Sequence, residues 1–159
     1  MKIGFFAGSF DPFTIGHLHI VKIASTLFDK VIVGVCVNPT KTRRFDKKIM
    51  RDAISKLLED EGLSNCECID YDGFTVDTAV KMGANFLIRG VRNAYDYDFE
   101  ERLALVNFEL SGLETIFVRA GELSMISSSM VAELIKNGKD YSKYVPKIIS
   151  KAIETKNES

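Results

Sequence analysis

A chain of 159 residues, 46% hydrophobic and 27% charged, is long enough to bury one core and too apolar for disorder. Its 21 basic and 22 acidic residues leave a net charge of -1, so no global field favours nucleic acid or an anionic membrane, and an anionic ligand must be drawn by a local arrangement. Cys36, Cys66 and Cys68 are an odd set without a CxxC pair. With no apolar run of spanning length and no leader ahead of the first strand, they predict a reducing, cytoplasmic setting.

"KIGFFA" (2–7) opens the chain as a near-continuous apolar run, the pattern of a parallel strand covered on both faces. "GHLHIVKIASTLF" follows, with Ile20, Ile23, Ala24, Leu27 and Phe28 at helical spacing. "VIVGVCV" (31–37) reads as the second strand. A polar loop from Asn38 leads to a helix over 46–61 that turns Ile49, Ala53, Ile54, Leu57 and Leu58 inward. The third strand covers 67–71; Cys66 and Cys68, two apart, share one strand face and read as small buried residues rather than a redox pair or half a metal site. A short helix over 76–82 stops near Gly83, and "NFLIRG" (85–90) is the fourth strand. "YDYDFEERLALVNFEL" is a helix whose early acidic residues suit its dipole. "TIFVRA" (115–120) is the fifth strand, and "SSSMVAELIKNG" a helix capped by serine and stopped by Gly138. Pro146 sits early in a last helix, and 154–159 is predicted to fray.

This alternation predicts one domain over 1–159, an α/β fold with a doubly wound, open, parallel five-stranded sheet of Rossmann-like type. In such sheets ligands bind beyond the carboxyl ends of the strands, where strand order reverses. The unusual polar stretches, 9–17, 38–44, 89–92 and 122–129, all follow strand ends.

The first of them carries the most chemistry. "GFFAGSFDPFTIGH" contains neither GxGxxG nor a P-loop. Gly8 lets backbone approach a ligand, Ser9 adds a hydroxyl, and Gly16 clears space before His17 in the first turn of a helix, a place suited to phosphate. The same turn resembles the signature of the nucleotidyltransferase superfamily, with Thr14-Ile15-Gly16-His17 as its (H/T)xGH element. Thr at the first position resembles the phosphopantetheine adenylyltransferases rather than the cytidylyltransferases. "NPTK" with Phe45 behind it is similar to that family's lysine loop, "IRGVR" to its arginine segment and "LSMISSS" to its second nucleotide element. Relatives that adenylylate nicotinamide mononucleotide end this last element in Ser-Thr-Arg, whereas here Met130 and Val131 follow Ser129. All the segments lie in register along the whole chain.

The resemblance implies transfer of AMP from ATP to 4'-phosphopantetheine, giving 3'-dephospho-coenzyme A and pyrophosphate, with Mg2+ accompanying ATP and a homohexameric assembly. It implies ATP contacts at Ser9, Phe10, His17, Gly90, Val91, Arg92 and Glu100, and along Leu123, Ser124, Met125, Ile126, Ser127, Ser128 and Ser129. It places Ser9, Lys41, Thr75 and Arg89 on the phosphopantetheine side, and His17 as the catalytic group. The attacking phosphate is already anionic, so no general base is required; the work is to align two anions and stabilise charge at the α-phosphorus. Thr75 lies in a segment more polar than the family's, and the acidic run around Glu100 reads equally as a solvated first turn. His19, two residues beyond His17, points to another side of the helix and lacks the i, i+4 spacing of a metal pair. In the basic run 41–51, Lys47, Lys48 and Arg51 read as a solvated helix face, while Arg43 and Arg44 stay open between structure and function.

Three rivals remain. The same chemistry on nicotinate mononucleotide or a cytidylyl substrate is disfavoured by Thr14, Lys41 and the serine triplet. A catalytically silent nucleotide sensor would not need His17, Lys41 and Arg89 together. Nucleic-acid binding by 41–51 lacks a basic balance and interleaved aromatics.

Overall fold

The apolar runs pair in parallel into one five-stranded sheet of order β3-β2-β1-β4-β5. The computed structural model describes residues 1–158. Along the chain run β1 (Ile3–Gly8), α1 (Ile15–Leu27), β2 (Lys30–Cys36), α2 (Lys47–Asp60), β3 (Cys66–Tyr71), α3 (Thr75–Lys81), β4 (Phe86–Val91), α4 (Ala94–Ser111), β5 (Glu114–Arg119), α5 (Ser128–Lys136) and α6 (Lys147–Glu158). Two 3₁₀ turns, Gly121–Leu123 and Ser142–Tyr144, precede α5 and α6. The open, doubly wound α/β architecture is the expected one. Helix α6 is helical to Glu158, through most of the segment expected to fray, and Ser159 lies outside the described residues.

Alternation along each strand splits the core in two. Phe6, Val31, Val33, Val35 and Ile88 pack with α1, α2, α5 and α6 on one face. Phe5, Ile32 and Leu87 pack with α3 and with Leu113, just ahead of β5, on the other. Both strand faces are covered, which is why the strands read as continuous apolar runs. Register is tight along the centre: Ile3 to Gly8 pair with Lys30 to Val35. Cys66 and Cys68 are half-buried on β3 and pack against the larger core; burial pushes the Cys66 thiol up to about 11 and that of Cys68 higher still.

Two inward expectations fail by a fraction of a turn. Ile49 is 49% exposed while Met50 is buried, because Asp46 caps α2 through the N–H groups of Lys48 and Ile49 and sets the helix rotation there. Leu27, at the last turn of α1, is likewise exposed. Lys47 and Arg51 are ion-paired rather than free on a solvated face, since α2 lies beside the edge strand β3: Lys47 Nζ sits 2.7 Å from Asp72 Oδ1, and Arg51 pairs with Asp70. Pro146 falls just before α6, its carbonyl accepting from the N–H groups of Ile149 and Ser150.

The two layers are unequally covered. Along the 18 residues of α4 only Glu100 is buried, and Tyr95, Phe99, Leu105, Val106, Phe108 and Leu110 stand exposed. Strand order reverses at β1, between β2 and β4, so the crevice that such sheets use opens at the carboxyl ends of β1 and β4.

Candidate functional site

A cleft of about 280 Å³ occupies that crevice. Its floor is the tip of β1 and the following turn; its walls are the tip of β4, the start of α4 and the loop leading into α5. Of the residues assigned to nucleotide, Ser9, Phe10, His17, Gly90, Arg92, Glu100, Leu123, Ile126, Ser127, Ser128 and Ser129 line it, joined by Arg89. Val91, Ser124 and Met125 do not; Met125 is 82% exposed beyond the rim. Lys41 and Thr75 also lie outside the lining.

His17 is fixed from behind. Thr14 is the N-cap of α1 and His17 its third residue, so the two close a capping box: the Thr14 hydroxyl accepts from the His17 N–H, and His17 Nδ1 accepts from the Thr14 N–H at 2.9 Å. A backbone amide can only donate, so Nδ1 is the bare nitrogen and Nε2 carries the proton. The rings of Phe10 and Phe13 sit 5.0 and 5.3 Å from the imidazole. Burial, followed by the charges of Arg89 and Arg92, pushes the His17 pKa down to about 3. The residue is therefore a neutral, preoriented N–H donor. Phe10 holds φ at 44°, and its buried ring packs beside His17, so its side chain supports the imidazole as well as lining the cleft. A methyl group on Gly8 would lie 2.8 Å from that ring, which explains the glycine.

Arg89 is clamped bidentately by Glu100, with both hydrogen bonds at 2.8 Å, and donates a third from Nη1 to the Ala7 carbonyl. Burial works against the guanidinium charge, but Glu100 outweighs it and holds the pKa above the ordinary value. Glu100 is buried, not a solvated first-turn residue. Arg92 is paired one turn ahead with Asp96, 2.9 Å away, whose amide is capped by Asn93. Ser127 caps α5 through the Met130 N–H, and Ser128 donates to the Pro12 carbonyl at 2.7 Å, tying this helix start to the first turn. A Cβ on Gly16 would press the Thr14 hydroxyl at 3.3 Å, so the glycine leaves room for the capping box, with the Ile126 carbonyl at ordinary contact distance.

On the β2 side the picture differs. Lys41 is exposed in a turn closed by its own N–H to the Asn38 carbonyl. Thr75 begins α3 with its hydroxyl 2.8 Å from that of Tyr71. His19 is half-buried and outside the cleft lining. Asp11 and Asp96 were missed as site-building residues, and Arg43 was left open between structure and function: the Asp-Pro and Asn-x-x-Asp patterns announce turns and caps, but only the fold shows what those turns hold.

Among the described residues no three His, Cys, Asp or Glu side chains gather at metal-binding distance. The two cleft carboxylates, Glu100 and Asp96, are each engaged by an arginine. Among the same residues no helix is long and apolar enough to cross a membrane.

Comparison with known proteins agrees with this geometry. Residues 5–134 match the cytidylyltransferase-like family model. The phosphopantetheine adenylyltransferase of Flavobacterium psychrophilum is 41% identical over 150 residues, 94% of this chain and 98% of that one. That of Leuconostoc citreum is 42% identical over 97% of this chain and 98% of its own. The structure of Plasmodium falciparum nicotinic acid mononucleotide adenylyltransferase complexed with NaAD superposes with a TM-score of 0.72, covering 98% of this chain and 96% of that one at 15% identity. The lipopolysaccharide core biosynthesis protein from Thermoplasma volcanium does so at 0.53 and 23% identity, over 75% of this chain and 95% of that one. Identities this low speak for a shared fold alone. The relatives of about 40% identity over nearly the whole chain settle the family: the chain belongs to the phosphopantetheine adenylyltransferases, within the cytidylyltransferase-like nucleotidyltransferases.

Proposed function

We propose that the protein transfers the adenylyl group of ATP to the phosphate of 4'-phosphopantetheine, releasing pyrophosphate and forming 3'-dephospho-coenzyme A in the cytoplasm. The observation that carries the reading is the capped, neutral His17, its Nε2–H left to a cleft shared with Arg89, Arg92 and the serine-capped start of α5. The acceptor oxygen attacks the α-phosphorus, the bond to the bridging oxygen breaks, and pyrophosphate leaves with the electron pair. His17 donates to the oxygens that gain charge, while Arg92 and the N–H groups opening α5 hold the departing phosphates. No proton need be removed, which suits a histidine that stays neutral. Glu100 and Asp96 are engaged by arginines, so Mg2+ would come with ATP rather than on a carboxylate cage of this chain, and would supply neutralisation of the triphosphate charge.

Lys41, Thr75 and Arg89 belong to the acceptor side, Lys41 and Arg89 as anchors for its phosphate. Pyrophosphate release should appear with 4'-phosphopantetheine and not with nicotinate mononucleotide; release with the latter alone would reassign the acceptor, and none with any acceptor would leave a binding module.

The exposed apolar row on α4 supports self-assembly, the homohexamer that family resemblance implies. Sedimentation should show an oligomer that Leu105→Glu shifts to smaller species; a monomeric wild type would rule the assembly out.

A further inference from the structure

The loop between β2 and α2 carries Lys41 to the acceptor, yet no side-chain bond of Lys41 itself holds it at the cleft. The loop is held elsewhere. Asp11, 6% exposed in the first turn, accepts the Arg44 N–H on Oδ2 at 2.8 Å and the Phe45 N–H on Oδ1 at 2.9 Å. Two consecutive amides gripped by two oxygens of one carboxylate fix the orientation of the peptide as well as its position. Arg43 reaches the other way. Its Nη1 donates to the Ser9 carbonyl at 2.6 Å and to the Cys36 carbonyl at 3.1 Å, its Nε to the Phe45 carbonyl at 2.8 Å, and Nη2 lies 3.7 Å from Asp11 Oδ1.

These partners come from three places: the cleft rim, the last residue of β2 and the exit of the loop. One planar guanidinium therefore ties the loop's entry to its exit and both to the turn that presents His17, with Lys41 near the middle of the span. Phe45, buried in the core, stops the exit from sliding. A lysine at position 43 would bring a single point charge and could not reproduce the fork.

We propose that Asp11 and Arg43 form a latch that positions Lys41 for the acceptor's phosphate, making both positioning residues for the acceptor and not for ATP. The assignment of Lys41 rests on the proposed function; the latch itself rests on the contacts above.

Arg43→Met, Arg43→Lys and Asp11→Asn are to be compared with wild type in steady-state kinetics on both substrates, in thermal melting, and in amide hydrogen exchange. Arg43→Met is expected to raise KM for 4'-phosphopantetheine about tenfold with KM for ATP held, and to lower the melting temperature while unfolding stays cooperative, since Asp11 loses its cation. Arg43→Lys should fall between it and wild type. Exchange should quicken within 38–45, including the amides of Arg44 and Phe45, and not in the strands. An unchanged acceptor KM, an equal rise in both KM values, or faster exchange across the whole sheet overturns the latch. If Arg43→Met does not fold, Arg43→Lys carries the same readouts. A wild type that releases no pyrophosphate with 4'-phosphopantetheine sinks the proposed function alone; the exchange arm then decides the latch, and unaltered protection at Arg44 and Phe45 overturns it.

Discussion

The two sides of the β1 tip are built on different plans. Toward β4, four polar side chains are set before any ligand arrives: His17 by the Thr14 N–H, Arg89 by Glu100, Arg92 by Asp96, and Ser128 by the Pro12 carbonyl. Toward β2, Lys41 is exposed and the order lies in the backbone, pinned by Asp11 and Arg43. On the function proposed above, the difference matches the work of each side: donors that need not reorganise stabilise developing charge best, whereas an incoming anion can be met by a long cation whose base alone is fixed.

His17→Ala strikes the prearranged side at its centre. A lost donor of this kind costs on the order of 3–4 kcal/mol of barrier, so turnover should fall roughly a hundredfold or more. The fold should persist, because α1 still buries Leu18, Ile20, Val21 and Ala24. Pyrophosphate release measured beside thermal melting reads both; a turnover number close to wild type would take His17 out of the mechanism and erase the contrast between the two sides.

Glu100→Ala tests whether prearrangement also stabilises the fold. It leaves Arg89 without its carboxylate in a largely buried setting, and removing one partner of such a pair costs about 3 kcal/mol. The lower end of the usual range applies because the Arg89 side chain keeps 30% exposure. Urea unfolding gives the number, and Glu100→Gln, which preserves shape and one acceptor, should lose less. Equal stabilities for all three proteins would mean that water already screens the pair.

The same contrast sets what the sequence can and cannot say. Strands and helices are largely legible, since the central strands β1 and β2 are apolar runs covered on both faces and α1 to α5 each have a side-chain cap or a glycine stop. Cleft residues are legible where they follow a strand tip in a compact segment, as in 8–17 and 127–129. The failures are rotational or long-range. Ile49 and Met50 differ by one position around α2, and only the Asp46 cap decides between them. Asp11 and Arg43 act on residues about 34 positions away, so no local pattern shows their purpose. Glu100 sits in an acidic run whose neighbours are solvated, and it is Arg89, 11 residues earlier, that draws it inward.

The last expected effect concerns acid. Folded His17 titrates near pH 3 against 6.5 when unfolded, so between those values the unfolded chain binds a proton that the folded one refuses. Stability contributed by the neutral ring is full above pH 6.5 and drains away as pH falls toward 3, at up to about 1.4 kcal/mol per pH unit. Carboxylates also titrate in that range, so a single profile cannot isolate the ring. His17→Gln can: glutamine at the third helical position is the ordinary partner in a capping box, keeps the bond to the Thr14 N–H and carries no proton equilibrium. Unfolding free energies of the two proteins should run parallel above pH 6.5 and converge below it, the wild type losing more. Curves that stay parallel down to pH 4 would mean that the imidazole is as accessible to protons in the cleft as in the unfolded chain, and that its neutrality is not built in.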